Sequence, residues 1–269
     1  MNISIATATF FHVPFAEVLQ SIKAAGFEYV ELDLYWKGGD NWEAAQHLKG
    51  IKPRKVLEMV RESGLRISSL HDIGGVVYDD DDSLIAPATY EYLEYGADDI
   101  PCVVFHAPHI KTDDTGWWDR YSVKAAADLR ALRHKTLVCI ENMPCFSGYQ
   151  VPLIRPHELL VFAEENDIFV NIDTTHFAEL GIDIVQAAII LKERVKCVHL
   201  SDFKSGKRHL FLGAGELDFA SFFKNLNLDS VHALTIECDM PYRRDDANVS
   251  VQSMKLAYQF IESHLMYSR

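Results

Sequence analysis

The feature that most limits how this chain can fold is a repeat of type, not of letters. Short, β-branched, mostly apolar runs alternate with longer stretches of helical spacing. The runs fall at 2–8, 28–34, 66–71, 101–106, 136–141, 168–173, 195–200 and 232–238. Runs apolar on both faces predict parallel strands covered on both sides. Helical spacing is expected over 14–25, 53–63, 117–134, 156–166, 183–193, 218–226 and 246–264, and more weakly over 83–97. Pro14 and Pro53 suit first turns, and Gly26 and Gly64 suit the ends of those helices. Strand–helix units in series mean right-handed parallel crossovers. Eight of them in 269 residues match the roughly 250 of one closed α/β barrel. An open dinucleotide-binding sheet would show a GxGxxG after the first strand, or a GxxxxGK[ST], and neither occurs. The expectation is one (β/α)₈ TIM barrel over residues 1–269, with long loops at 37–50 and 72–83.

In such a barrel the carboxyl ends of the strands form the active face. Here they carry ligand-type side chains almost without a break. Strand two holds Glu31 and Asp33, and strand three ends at His71 and Asp72. Strand four ends at His106, with His109 beyond. Strand five ends at Glu141 and Asn142, and strand six at Asp173, with His176 three residues on. Strand seven gives His199 and Asp202, and strand eight gives Glu237 and Asp239. One such residue is an ordinary cap or a satisfied core polar group. Six or more converging on one mouth would be costly to bury unless paired or coordinated. A divalent cation is the simplest neutraliser.

The motifs CIENMP (139–144), NIDTTHFAELGID (171–183), VHLSDFKSGKRHLFLGAGELDF (198–219) and TIECD (235–239) resemble those of the xylose-isomerase-like barrels. SSLHD (68–72) and VFHAP (104–108) are weaker matches. That superfamily includes sugar and sugar-phosphate isomerases and epimerases, and also the endonuclease IV family. The resemblance to the epimerase branch implies a divalent ion, Mn²⁺ or Zn²⁺ first with Mg²⁺ or Co²⁺ admissible, held by Glu141, Asp173, His199 and Glu237. It implies that Glu141 and Glu237 also serve as acid and base, with His176 against substrate. His71, His106, His209 and Arg208 complete the expected substrate-binding set. The expected activity is isomerisation or epimerisation of a small carbohydrate by carboxylate-mediated proton transfer.

Two departures qualify the resemblance. Ketose 3-epimerases of this pattern carry a second Glu six residues after the strand-five Glu, and Phe146 stands there. The nuclease branch uses three zinc ions and an acidic ligand just before its final His, and Lys207 stands there. A metal-dependent phosphodiesterase is the alternative reading, and a non-catalytic metal- or sugar-binding barrel is the second.

Smaller features bear on substrate. Asp79 to Asp82 form an acidic run that would repel a phosphate backbone. Trp117 and Trp118 read as packing residues or as base-stacking ones. GAGELDF (213–219) reads as a tight turn with Asp218 as N-cap, or as a phosphate cradle at a helix start. Lys207, Arg208, Arg243 and Arg244 are either exposed basic residues or an anion clamp. The net charge of −13 argues against a nucleic-acid partner.

Five cysteines make an odd count. Cys102, Cys139, Cys197 and Cys238 sit in apolar runs, as buried thiols in a reducing compartment do, while Cys145 falls in a loop. No signal peptide or membrane span is read, so the expected location is cytoplasmic. A homo-oligomer is left open.

Overall fold

The computed structural model describes residues 1–10, 13–34, 48–79, 82–240 and 247–268. Its centre is an eight-stranded parallel sheet curled upon itself. The strands are β1 (Asn2–Ile5), β2 (Tyr29–Asp33), β3 (Arg66–Asp72), β4 (Cys102–His106), β5 (Leu137–Glu141), β6 (Phe169–Asp173), β7 (Val195–Leu200) and β8 (Ala233–Ile236). They pair in the order β1-β8-β7-β6-β5-β4-β3-β2. A single parallel bridge between Ala6 and Glu31 joins β2 back to β1. The TIM barrel expected from the alternation is therefore present, nearly closed.

The helices between are α1 (Phe15–Ala24), α2 (Pro53–Glu62), α3 (Pro87–Gly96), α4 (Trp117–Leu132), α5 (Pro156–Asn166), α6 (Thr174–Glu179), α7 (Ile184–Leu191), α8 (Phe219–Asn225) and α9 (Ala247–Ser268). Pro opens α2, α3 and α5, where its missing N–H costs nothing. The α1 helix buries Phe15, Val18, Leu19 and Ile22, an i, i+3, i+4, i+7 stripe. Trp117 is buried in α4 and Trp118 stacks against Phe162, so both pack rather than face a nucleic acid.

Three boundaries differ from the sequence expectation. The first strand stops at Ile5, not 8, and the chain turns through a 3₁₀ helix, Thr7–Phe10. Asp33 is the reason: its carboxylate accepts from Thr7 Oγ1 (3.0 Å) and the Ala8 amide (2.7 Å). Helix α6 was not anticipated, because its N-cap is Asp173, itself the end of a strand. After β7 the chain forms a short ribbon, Asp202–Lys204 against Lys207–Leu210, instead of a plain loop.

The inside of the barrel is filled by small side chains. Cys102, Cys139 and Cys197 bring their sulfurs within 3.4 to 4.0 Å of one another, beside Val104 and Ala233. Cys238 is also buried, whereas Cys145 is exposed. A thiol reagent is therefore expected to modify Cys145 rapidly in the native protein and the other four only on unfolding. Mass spectrometry of the labelled protein reads this, and several fast labels would mean a looser interior.

Candidate metal centre

Register brings the strand ends to one level. Asp33 lies beside His71, His106 beside Glu141, and Asp173 beside His199. Side chains two apart on a strand share a face, so these groups point to one mouth.

Glu141, Asp173, His199 and Glu237 offer ligand atoms all within 4.8 Å of one another. His199 Nδ1 lies 2.8 Å from Glu237 Oε2 and 3.1 Å from Glu141 Oε2. Asp173 has a divided role. Its Oδ1 caps α6, accepting the amides of Thr175 and His176, each at 2.8 Å. Its Oδ2 is buried and accepts nothing. Glu141 Oε1, His199 Nδ1 and Glu237 Oε2 are likewise buried without a hydrogen bond. Each member of the quartet thus keeps one buried ligand atom without a hydrogen bond. Such atoms are costly alone, and a cation bound by all four removes the cost. The oxygen-and-imidazole donor set suits a divalent first-row ion.

The supporting histidines gather round this set. His71 Nε2 is 3.3 Å from Glu141 Oε2 and 2.9 Å from His106 Nε2. His106 Nδ1 donates to the Gly74 carbonyl (2.9 Å), which aims its other nitrogen at His71. This close crossing requires Gly75 at φ +105°, where a Cβ would stand 2.9 Å from that of His106. His176 Nδ1 faces the Asn142 carbonyl at 2.9 Å and Glu141 Oε1 at 3.2 Å. His209 stacks edge-on against His176, with ring centroids 5.5 Å apart. Further groups at ligand spacing include His71, His106 and Glu141; Asp173, His176 and His209; and Glu31, His71 and His199. Lys207, two residues ahead of His209, is exposed and adds no carboxylate to the second.

Neighbouring carboxylates and imidazoles shift one another. Burial pushes the Glu141 carboxyl up, but His199, His176 and His71 outweigh it and hold it well below its ordinary range. Burial draws His176 down, yet Asp173 and Glu141 raise it to about 9. His71 and His199 are likewise held well above their ordinary value, against burial, by the carboxylates around them. Burial, with the neighbouring His71, His176 and His109 and against Glu141, takes His106 down to about 3, so His106 is neutral at pH 7.

Other expected residues fall elsewhere. Arg208 lies on the ribbon after β7 and pairs with Glu179 of α6 at 3.2 Å, outside the converging groups. Phe146 is half-buried against the His109 ring, centroids 4.9 Å apart. Asp82 ties its own turn by accepting the amides of Tyr78 and Asp79. Asp80, Asp81, Arg243, Arg244 and most of the 37–50 loop lie outside the described residues.

The glycine-rich loop is corrected most clearly. Asp202 is buried, and its carboxylate accepts the amides of Gly213 (3.1 Å), Gly215 (2.8 Å), Leu217 (3.2 Å) and Phe203 (2.8 Å). Asp218 caps α8 through the Ser221 amide. An internal anion holds the donors that a phosphate would need, so the tight-turn reading stands. Sequence reasoning saw Asp202 only as a strand-end acid. Its spacing from glycines 11 and 13 residues later was the available signal.

Two strand-two carboxylates also gain definite partners. Asp33 Oδ1 is 3.0 Å from His71 Nδ1. Glu31, fully buried, lies against His199 Nε2, on the far side of that ring from the quartet.

A nearly closed eight-stranded parallel barrel whose carboxyl-end mouth gathers carboxylates and imidazoles, in groups that could hold a metal ion, defines a class of protein. The sequence matches the family described as xylose isomerase-like TIM barrel over residues 19–260, and the chain belongs to that family. Among solved structures, an L-ribulose 3-epimerase superposes with a TM-score of 0.72 at 17% identity, covering 100% of this chain and 95% of that one. A D-allulose 3-epimerase from Methylomonas sp. in complex with D-allulose gives 0.69 at 18%, covering 98% and 97%. The 3-keto-D-glucoside 4-epimerase from E. coli gives 0.67 at 19%, covering 96% and 99%. At these identities the likeness is one of fold. Comparison with curated protein sequences returns no match. Among the described residues, no helix is long and apolar enough to cross a membrane.

Proposed function

We propose that the protein is a divalent-metal-dependent isomerase or epimerase of a small carbohydrate. The observation that carries this reading is the quartet of buried, converging ligand atoms without hydrogen bonds on Glu141, Asp173, His199 and Glu237. The sugar epimerases among its structural neighbours agree with it. These four residues would hold the ion, Mn²⁺ or Zn²⁺ in the first instance. When bound, it would supply Lewis-acid polarisation of a hydroxy-carbonyl group.

The protein's own groups handle the protons. Glu141 is ionised, surrounded by His71, His176 and His199, and shut off from solvent. It is suited to take a proton from a carbon beside the carbonyl. Glu237 is the open member, with 20% of its side chain exposed. It can exchange protons with water and return one to the substrate. His176 and His209 flank the mouth and are placed to donate to substrate hydroxyls.

With the loop at 213–219 already built around Asp202, a neutral sugar is favoured over a phosphorylated one. Phe146, against His109, offers a ring face where a ketose 3-epimerase would offer a carboxylate.

Metal analysis and solvent-deuterium exchange test the reading together. Wild type incubated with Mn²⁺ or Zn²⁺ is expected to retain the ion. Its melting midpoint should rise, since a ligand at 100 times its Kd adds about 2.7 kcal/mol of stability. Deuterium should enter carbon-bound positions of at least one sugar in a broad ketose and aldose panel, and Glu237→Ala should suppress it. Failure to retain any ion, or retention of all carbon-bound protons across the panel, would sink the proposal.

A second reading rests on one specific observation: His71 Nε2 and His106 Nε2 meet at 2.9 Å beside Glu141. A second ion there, sharing Glu141 with the first, would suit a phosphodiesterase. Nicking of an abasic-site oligonucleotide with added Zn²⁺ would favour it, and an intact oligonucleotide removes it. Sugar binding without turnover would point instead to a non-catalytic barrel.

A further inference from the structure

Strand β2 supplies no member of the quartet, yet it carries two fully buried carboxylates on one face, Glu31 and Asp33. Each backs a histidine. Asp33 takes His71 Nδ1 at 3.0 Å. Glu31 straddles His199 Nε2, with Oε1 at 3.1 Å and Oε2 at 3.2 Å. Glu31 Oε2 also accepts from Ser69 Oγ at 2.6 Å, which pins the carboxylate in place.

The two nitrogens of His199 therefore face different tasks. Nδ1 points into Glu141 and Glu237 and has no hydrogen bond. Nε2 points the other way, to Glu31. A neutral imidazole carries one proton and one lone pair. Whichever nitrogen holds the proton decides which one can bind a cation, and a carboxylate accepts a proton-bearing nitrogen only.

We propose that Glu31 is the positioning residue of the metal centre: by accepting from His199 Nε2–H, it holds the His199 Nδ1 lone pair toward Glu141, Asp173 and Glu237. This rests on the metal-binding part of the function proposed above. It adds that β2, contributing no ligand, sets the affinity of the site. Glu31 Oε1 is buried without a hydrogen bond, and Glu31 offers a ligand atom within 4.8 Å of ligand atoms on His71 and His199. It nevertheless meets His199 at Nε2, whereas Glu141 and Glu237 face Nδ1. The arrangement also accounts for a carboxylate buried completely in the barrel, which would be costly without a charge-assisted partner.

The test is Mn²⁺ titration into metal-stripped protein by calorimetry, with nitrogen NMR of ¹⁵N-histidine-labelled, Zn²⁺-loaded wild type. Glu31→Leu, which removes the acceptor, is expected to weaken Mn²⁺ binding about 10–100-fold. Glu31→Gln keeps an oxygen toward Nε2 and should recover most of that loss. The spectrum should show His199 protonated at Nε2 and not at Nδ1. Variants that bind Mn²⁺ as tightly as wild type would overturn the proposal while leaving the metal site standing. A His199 protonated at Nδ1 would overturn it too, and needs no variant to fold. A wild type that binds no ion would remove both the proposal and the reading beneath it.

Discussion

Glu141→Ala is expected to empty the metal centre and reduce turnover by about 10⁴-fold, at the upper end of what a lost acid–base group costs. Several contacts converge on this one carboxylate. It lies 3.1 Å from His199 Nδ1, 3.2 Å from His176 Nδ1 and 3.3 Å from His71 Nε2, and accepts from Asn171 Nδ2 at 3.0 Å. Removing it strips the quartet of a member shared with the His71 and His106 group. The loss in affinity should exceed the roughly 10–100-fold that an outer partner of a ligand costs. Glu141→Gln separates the effects. It keeps the side-chain volume and one oxygen, but cannot carry the negative charge that takes a proton. Elemental analysis and calorimetric titration of both variants decide the point. If Glu141→Ala holds Mn²⁺ or Zn²⁺ as tightly as wild type, the quartet is not the site.

Asp202→Ala is the second large effect, and it falls on stability rather than chemistry. One carboxylate organises the whole turn between the ribbon and α8, through four backbone amides. Hydrogen bonds to a charged acceptor contribute about 1.5–3 kcal/mol each. Water reaches part of this loop, so the net loss should be about 3–5 kcal/mol, near the top of the usual range for one substitution. At roughly 2–4 °C per kcal/mol for a chain of this size, the melting midpoint should fall by about 6–20 °C. Gly215→Ala attacks the same packing from the other side. A Cβ there would collide with the Asp202 carboxylate and stand 2.6 Å from the Phe203 carbonyl oxygen, which cannot swing away. Thermal melts of the two single variants check this. A loss below about 1 kcal/mol for Asp202→Ala would mean that the loop is held by something else.

The contrast between these residues shows what the sequence could and could not carry. The strands were legible because burial on both faces leaves an almost uninterrupted apolar run. The candidate quartet could be picked out because its members lie at the ends of such runs, in motifs that resemble those of the family. Asp33 was not, because its effect is to cut β1 short by bonding Thr7 and Ala8, on a neighbouring strand. Asp173 hid helix α6 because it caps a helix with one oxygen while facing the metal centre with the other. Asp202 and Glu31 act through partners far along the chain, and only the folded register supplies those partners. Arg208, expected to bind substrate because it follows strand seven, pairs with Glu179 of α6. The backbone at His209 has φ +51°, so neighbouring side chains there do not follow the simple alternation of a strand.

The pairing order of the barrel has a consequence for how the protein is made. Of the eight barrel strands β1 is made first, and it finds its main neighbour in β8, which is made last of the eight. Glu141, Asp173 and His199 belong to strands that can pair with one another as they emerge, but Glu237 arrives only after β8. A nascent chain halted before residue 232 therefore holds three of the four proposed ligands, an unpaired β1 and an open seam. Barrel closure and completion of the proposed quartet are in this sense a single event, and both wait for β8.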